Sequence, residues 1–353
     1  MYDIAIVGGG VTGLYLANLL GNKNVILFEE HKNLGPRRCS GIVSSRIKNL
    51  IDLPKYLIEK EVEHAILRCG KTYSEIKINS LVLDKERFED FLLRKAKKKV
   101  EIKFEKVREI VESYENVIIK TEHNKYKSKY IVGCDGPNSI VRKTFLNSLP
   151  KNFYFGKFCY SREKSFDCHE IFFDSKYSDL FAWITPRRNK VEYGVICEKN
   201  LSQHYNAFLK DKRPKIIEES FGVIPINFFK YSFSKGILIG NACAQVKPLT
   251  GGGIIYGMIA SKIASEELKK EKPNFLNYEK RCRSIFEKEI KLQLLFRKLY
   301  SKLSDRKKEK LLKAFAKEHS KLDMDFPMRY ILKNKKKTDI LKLVVSCLIN
   351  FRM

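Results

Sequence analysis

The chain has 353 residues, 44% of them hydrophobic, and 69 Lys+Arg against 41 Asp+Glu give a formal charge of +28. That length supports a sizeable core, either two domains or one large interleaved body. Nine scattered cysteines without a CxxC pair exclude a zinc or dithiol motif, and no apolar run reaches the ~18 residues of a spanning helix. The basic balance suits nucleic acid, an anionic membrane, acidic ligands or simply lysine-rich solvated faces. No recognition motif accompanies the charge, so a nucleic-acid partner is not expected. The first strand starts at residue 2 and the cysteine count is odd. The expected location is therefore the reducing cytoplasm, with peripheral contact at an anionic membrane.

In chain order, Ile4-Ala5-Ile6-Val7 reads as a buried strand, followed by a glycine turn and a helix through Leu14, Leu16, Ala17, Leu19 and Leu20. Gly8, Gly10 and Gly13 fill a GxGxxG pattern around Thr12, and a second strand, Val25–Phe28, ends in Glu29 and Glu30. Glycines there permit the turn, the approach of a pyrophosphate and close helix–strand packing, and the acid suits a ribose hydroxyl. Strand, turn, helix, strand and acid in register predict a dinucleotide site. A loop follows with Pro36, Arg37, Arg38, Cys39, Ser40 and Gly41. Entered from the second nucleotide-binding strand, it lies near a cofactor's reactive ring; Cys39 reads otherwise as a small buried filler.

Residues 61–79 read as a pair of short strands, and a helix with Phe88, Leu92 and Ala96 on one face follows Lys85. Strands are expected near 100–104, 106–112 and 116–121. Tyr130–Gly133 then leads through Cys134 into an Asp135-Gly136 turn and a helix capped by Asn138 or Ser139. Asp135 at a strand's carboxyl end suits ligand contact. Residues 151–235 are crowded with aromatics, and alternation over 169–173, 181–184 and 191–196 predicts antiparallel strands. One aromatic face either walls an apolar pocket or fills a sandwich core. A buried strand at 236–239 leads through Gly240, Asn241 and Pro248 to Gly251, Gly252 and Gly253, then a helix from Ile254. Its N-terminus is a second anion-seeking end. From Pro273 the chain reads as basic helices, ending in an apolar helix at 340–351 behind Lys335-Lys336-Lys337.

Four of these motifs, in this order, resemble the FAD-dependent geranylgeranyl reductases within the p-hydroxybenzoate hydroxylase-like flavoproteins. They are Gly8–Gly13 with Glu29, the Pro36–Gly41 loop, Val132–Gly136, and Gly240–Ala242 through Gly253. The resemblance covers residues 1–270. It implies an α/β fold in which a Rossmann-type FAD-binding domain (1–150 and 236–272, with 61–79 lent to the other sheet) is interleaved with an antiparallel β-sheet substrate domain (151–235). A basic helical region (273–353) follows. It implies FAD as cofactor, bound by Gly8, Gly10, Thr12, Gly13, Glu29, Glu30, Arg38, Cys39, Lys85, Asp135, Gly136, Asn241, Pro248, Gly251, Gly252, Gly253 and Ile254. The substrate motif YxWxFP is represented by Phe181, Trp183 and Pro186, with Thr185 in place of the second aromatic. Asn241 and Lys85 stand where relatives place Asp and Arg.

The implied activity is hydrogenation of isoprenoid double bonds in archaeal-type membrane lipids or their precursors, with hydride from reduced FAD. Cys39 helps deliver the proton or gates the flavin, and Gly252 and Gly253 hold the flavin's electron-rich edge. The implied partners are a prenyl lipid and an external electron donor, ferredoxin or nicotinamide. Two alternatives stay open: an FAD-dependent monooxygenase or halogenase on the same fold, and a non-catalytic lipid-binding relative.

Overall fold

The computed structural model describes residues 1–32, 39–163, 166–227, 229–318 and 321–333. Strands β1 (Tyr2–Val7), β2 (Val25–Phe28), β3 (Ile42–Ser44), β4 (Ile58–Cys69), β5 (Thr72–Leu83) and β6 (Glu101–Lys103) are followed by β7 (Val107–Glu112), β8 (Val117–Thr121) and β9 (Lys125–Gly133). Next come β10 (Phe153–Ser161), β11 (Cys168–Phe172), β12 (Phe181–Pro186), β13 (Val191–Cys197), β14 (Ile216–Pro225), β15 (Ser232–Phe233) and β16 (Gly236–Leu238). The helices are α1 (Val11–Leu19), α2 (Lys85–Lys97), α3 (Ile140–Leu146), α4 (Leu201–Lys212), α5 (Ile254–Leu268), α6 (Phe275–Tyr300), α7 (Asp305–Glu318) and α8 (Pro327–Lys333).

Two sheets divide these strands. The first runs β15-β16-β9-β1-β2-β6, and the hairpin β7–β8 joins it at the start of β9. Its strands β16, β9, β1, β2 and β6 are parallel. Residues Ile4 to Val7 of β1 are all buried, as a parallel strand covered on both faces requires. Helix α1 is apolar nearly all round because it lies between neighbours, packed on both α2 and α5. Helix α2 is amphipathic: Phe88, Leu92, Leu93 and Ala96 face inward, and Asp84 caps it by accepting from the Arg87 N–H at 3.2 Å. Ser139 caps α3 in the same way, through the Arg142 N–H.

The second sheet runs β14-β10-β13-β12-β11-β4-β5-β3. The expected antiparallel arrangement needs correction at one place: β11 pairs with β4 in parallel. The chain leaves this sheet after β5, builds much of the other, and returns at β10, so β4 and β11 meet without a hairpin to set their direction. The strands expected to be short around Cys69 and Gly70 are 12 residues each. Ser232–Phe233, expected within the substrate-sheet segment, pairs instead with β16 of the first sheet.

The aromatic segment is also divided. Side chains alternate along a strand, so Phe172, Tyr177 and Tyr193 pack with Phe208 of α4 on one face. Tyr154, Phe158, Tyr160 and Trp183 cluster on the other. The C-terminal region packs over the second sheet: Phe315 of α7, with Leu322 and Met324, covers Ala65, Ile76 and Ile78 of the β4–β5 hairpin. The expected apolar helix at 340–351 lies outside the described residues. Among the described residues, no helix is long and apolar enough to cross a membrane.

One buried cation holds the first sheet's two crossover loops together. The Arg142 guanidinium is fully buried and donates to the carbonyls of Pro137 (2.7 Å), Ser148 (3.1 Å) and Ala242 (2.6 Å). Removing it leaves carbonyls at these loops without a donor, at 1–3 kcal/mol each. Arg142→Met is therefore expected to lower the free energy of urea unfolding by roughly 3 kcal/mol or more; an unchanged unfolding midpoint would contradict this.

Candidate active site

Strand β1 is flanked by β2 on one side and β9 on the other, so the chain's winding reverses there. Open parallel sheets bind ligands in the crevice at such a reversal, beyond the carboxyl ends of the strands. Here the crevice opens between the Gly8–Gly13 turn and the Cys134–Asn138 loop. Gly8 has φ +104°, and a side chain on it would fall on the Cys134 carbonyl. Gly13 sits so close to the Gly8 carbonyl that a methyl group has no room. Both glycines shape the wall from behind, while Gly10 and Thr12 line it.

The acids of this region have partners. The Gly9 N–H donates to Glu29 Oε2 at 2.7 Å, and Glu29 Oε1 accepts from the His31 N–H at 3.0 Å. Glu30 turns outward to Lys106. Lys85 lines the crevice and pairs with Glu89 one turn along α2. Asp135 lies behind the Gly136 turn, with Oδ2 accepting from the Val141 N–H at 3.1 Å. Its Oδ1 is buried with no partner among the described residues. Burial pushes this carboxyl up, against the opposing pull of Ser139 and the Val141 N–H. Arg38 lies outside the described residues.

The opposite lip comes from the end of the first sheet. After β16, Gly240–Cys243 forms one 3-10 turn that presents Asn241, and residues 247–253 fold into a tight loop. Gly251 has φ +73°. Helix α5 begins at Ile254 with Gly253 at its cap position and no side-chain hydrogen bond there. Its first N–H groups are thus left for a ligand. Pro248 stands behind this lip rather than in it.

These lips open into one cavity of about 1090 Å³. Gly10, Thr12, Gly136, Asn241 and Gly251 to Ile254 form one stretch of its wall, and Cys39 and Ser40 another. Phe158, Phe173, Phe181 and Trp183 supply an aromatic stretch; Leu311, Leu312 and Phe315 of α7 supply an aliphatic and aromatic cover. One face of the aromatic segment was expected to wall a pocket or fill a core, and nothing was expected of α7. Along β10 to β13 only one phase of the alternating strands reaches the cavity, β14 lines it with consecutive residues, and the cover comes from the basic C-terminal region. Pro186 ends β12 beside the cavity but does not line it.

A buried ionic chain ties the Cys39–Ser40 segment to the second sheet. Arg187 donates to Glu192 at 2.6 and 2.9 Å, to Glu59 at 2.6 Å and to the carbonyl of Ser40. Glu192, fully buried, also accepts from the Trp183 indole N–H at 2.7 Å. Burial pushes the Glu192 carboxyl up even against Arg187 and Trp183. The position of Ser40, next to Cys39, is thereby coupled to the orientation of Trp183. Gly194 makes this possible, since a side chain there would occupy the indole's place. Sequence reasoning missed this chain. The one available signal was an acid, Glu192, inside an otherwise apolar strand.

His169, also missed, is a buried polar residue in the cavity wall. Nδ1 lies 3.1 Å from Thr185 Oγ1 and Nε2 lies 3.0 Å from Ser80 Oγ. Thr185, the departure from the substrate motif, is what gives this imidazole its second partner. Burial first, then the nearby Arg187 charge, push its pKa from 6.5 down to about 4. Cys39 Sγ accepts weakly from the Gly41 N–H at 3.5 Å.

The chain has the mixed α/β, two-sheet fold of the FAD-dependent reductases and hydroxylases. It is a homologue of proteins named digeranylgeranylglycerophospholipid reductase: that of Methanocaldococcus jannaschii is 26% identical over 378 residues, spanning 95% of this chain and 96% of the relative. An uncharacterised protein of the same organism is 29% identical over 343 residues, 90% of this chain and 88% of its own. The crystal structure of a geranylgeranyl bacteriochlorophyll reductase-like protein from Thermoplasma acidophilum superposes with a TM-score of 0.84 at 18% identity, covering 97% of this chain and 99% of that one. No protein-family profile matches the chain.

The residues present fit a flavin dinucleotide. The Asp135 oxygen without a partner, the open space over Gly136 and the uncapped start of α5 are places a phosphate- and hydroxyl-rich ligand would fill.

The imidazole sets a pH dependence. Folded, His169 stays neutral down to about pH 4, whereas the unfolded chain takes up that proton near 6.5. The unfolded state therefore binds more protons in this window, and the contribution, fully present above 6.5, is lost as pH falls toward 4. The loss amounts to roughly 3 kcal/mol. Urea unfolding measured from neutral pH down to this range should show a shallower decline for His169→Gln than for wild type; parallel profiles would contradict it.

Proposed function

We propose that this chain is a flavin-dependent reductase that hydrogenates isoprenoid double bonds of archaeal-type membrane lipids or their precursors. The observation that carries the reading is the single cavity shared by the dinucleotide cleft, the thiol loop and a long apolar wall. A polyprenyl chain suits that wall, and the homologues' names supply the lipid class. FAD is the cofactor in this reading. When bound and reduced, it supplies hydride from N5 to one alkene carbon.

The protein's own residues do the rest. Gly8, Gly10 and Gly13 admit the diphosphate to the start of α1, and Glu29 exchanges its Gly9 contact for a ribose hydroxyl. Gly136 faces the cofactor's polar chain, with Asp135 held behind the turn, and Asn241 accepts a hydroxyl there through its amide oxygen. Gly251 to Ile254 present N–H groups to the ring's electron-rich edge. Lys85 adds a point charge near the phosphates, less directional than an arginine. Phe181, Trp183 and the α7 side chains hold the prenyl chain and exclude water. Cys39, steadied through Ser40 and Arg187, delivers or gates the proton for the neighbouring carbon. An external donor, ferredoxin or nicotinamide, supplies the electrons. The basic helical region makes peripheral contact with anionic membrane.

The test is a single-turnover assay. The chain is loaded with FAD, reduced without oxygen, and mixed with a digeranylgeranyl phospholipid. Bleached flavin should regain its colour as the lipid gains two hydrogens per double bond. Cys39→Ala should slow that step by roughly a hundredfold or more while leaving the flavin spectrum intact. Colour returning only with oxygen and an aromatic substrate would instead support a monooxygenase. A chain that takes up no FAD would support a lipid-binding relative.

A further inference from the structure

The loop that forms the late lip is built around one lysine. The Lys247 N–H donates to the Gly252 carbonyl at 3.0 Å, and its own carbonyl accepts from Thr250 (3.1 Å) and Gly251 (2.8 Å). Its side chain is buried, lines the cavity and runs directly beside Gly252. A methyl group placed on Gly252 would lie 2.7 Å from Lys247 Cε and 3.2 Å from Nζ. A full positive charge thus sits against the backbone that the lip presents to a ligand.

That charge is balanced from one side. Nζ donates to Asp325 Oδ1 at 3.0 Å and to the Met324 carbonyl at 3.0 Å. Asp325 is fully buried and also accepts from Ser44 Oγ and from Arg46 Nε at 3.1 Å; Arg46 in turn reaches Asp323 at 3.0 Å. The Asp325 carbonyl accepts from the Tyr256 hydroxyl of α5 at 2.7 Å. Residues 323–325, from a segment beyond α7, therefore bring a compensating negative charge to the lip. Mechanical anchoring alone needs no buried charge, because the backbone bonds already shape the loop.

We propose that Lys247 and Asp325 are a matched pair that sets the reduction potential of the bound flavin, Lys247 raising it and Asp325 restraining it. This rests on the reading that FAD lies with its pyrimidine edge on Gly252 and Gly253. Two electrons and one proton leave the flavin ring with a net negative charge on that edge. A fixed cation nearby favours the reduced form, and a nearby carboxylate opposes it. The C-terminal segment thereby adjusts how readily the cofactor gives up hydride.

The test measures the midpoint potential of the FAD-loaded full chain by slow reduction against a reference dye. Lys247→Met and Lys247→Gln are each expected to lower the reduced-to-oxidised ratio at fixed potential about tenfold, ~30 mV for a two-electron couple. Asp325→Asn should raise it by a similar factor, and the double variant Lys247→Met with Asp325→Asn should return close to wild type. Opposite signs and cancellation are not what general loosening of the loop would produce. Potentials that do not move, or that move the same way in all variants while FAD stays bound, overturn this inference alone. A wild-type chain that binds no FAD overturns the cofactor reading and this inference with it. Should the lysine variants lose flavin, the sign of the Asp325→Asn shift decides the matter.

Discussion

No atom larger than hydrogen fits between Gly13 and the carbonyl of Gly8, or between Gly8 and the carbonyl of Cys134. Everything around the cleft depends on those two approaches. They let α1 descend onto β1 and let β9 deliver its loop alongside, in parallel register from Tyr2 with Ser128 to Val7 with Gly133. Once these three backbones are pressed together, the start of α1, the Gly136 turn and the end of β16 share one crevice. Bulk at either glycine would separate the helix from the sheet, and the charge complementarity of the crevice would have no surface to act on.

A second constraint joins the cleft to the second sheet. An isolated guanidinium is costly to bury, but Arg187 has two carboxylates and two backbone carbonyls around it. Because Glu192 is shared with the Trp183 indole, the ionic chain is also a positional one. The thiol loop and the aromatic wall are then held relative to each other by directional bonds, not by apolar contact alone. On the other side, Asp325 performs a comparable task between Ser44, Arg46 and Lys247. Two ion networks therefore anchor the Cys39–Ser44 segment, one at Ser40 and one at Ser44.

What could be read from residues alone was mostly local. The Ile4–Gly13 strand and turn, the α2 stripe, and a cap at Asn138 or Ser139 follow from spacing within a few positions; the structure holds the strand, turn and stripe and places the cap at Ser139. The resemblance supplied the order of the motifs and the overall fold. What stayed illegible depends on distance along the chain. Arg187 meets Glu59 128 residues away, and Lys247 meets Asp325 78 residues away; no periodicity announces either. Strand phase was a further ambiguity. The aromatic run could be recognised as strands, but which alternate residues faced the cavity required knowing that α4 covers the other face. The parallel meeting of β4 and β11 was hidden for the same reason, since their partners are set by the whole topology.

The cover formed by α7 has an evolutionary corollary. Leu311, Leu312 and Phe315 line the cavity and Phe315 packs on the hairpin, while the Gly8–Gly13 turn and the Asp135 loop are built from segments that precede them by well over a hundred residues. The shape of the cavity's covered end can consequently drift through changes in one helix while the Gly8–Gly13 turn is left alone. A lineage could exchange a long flexible guest for a short rigid one by trading a few side chains near its end, and the same scaffold would then serve unrelated metabolic ends.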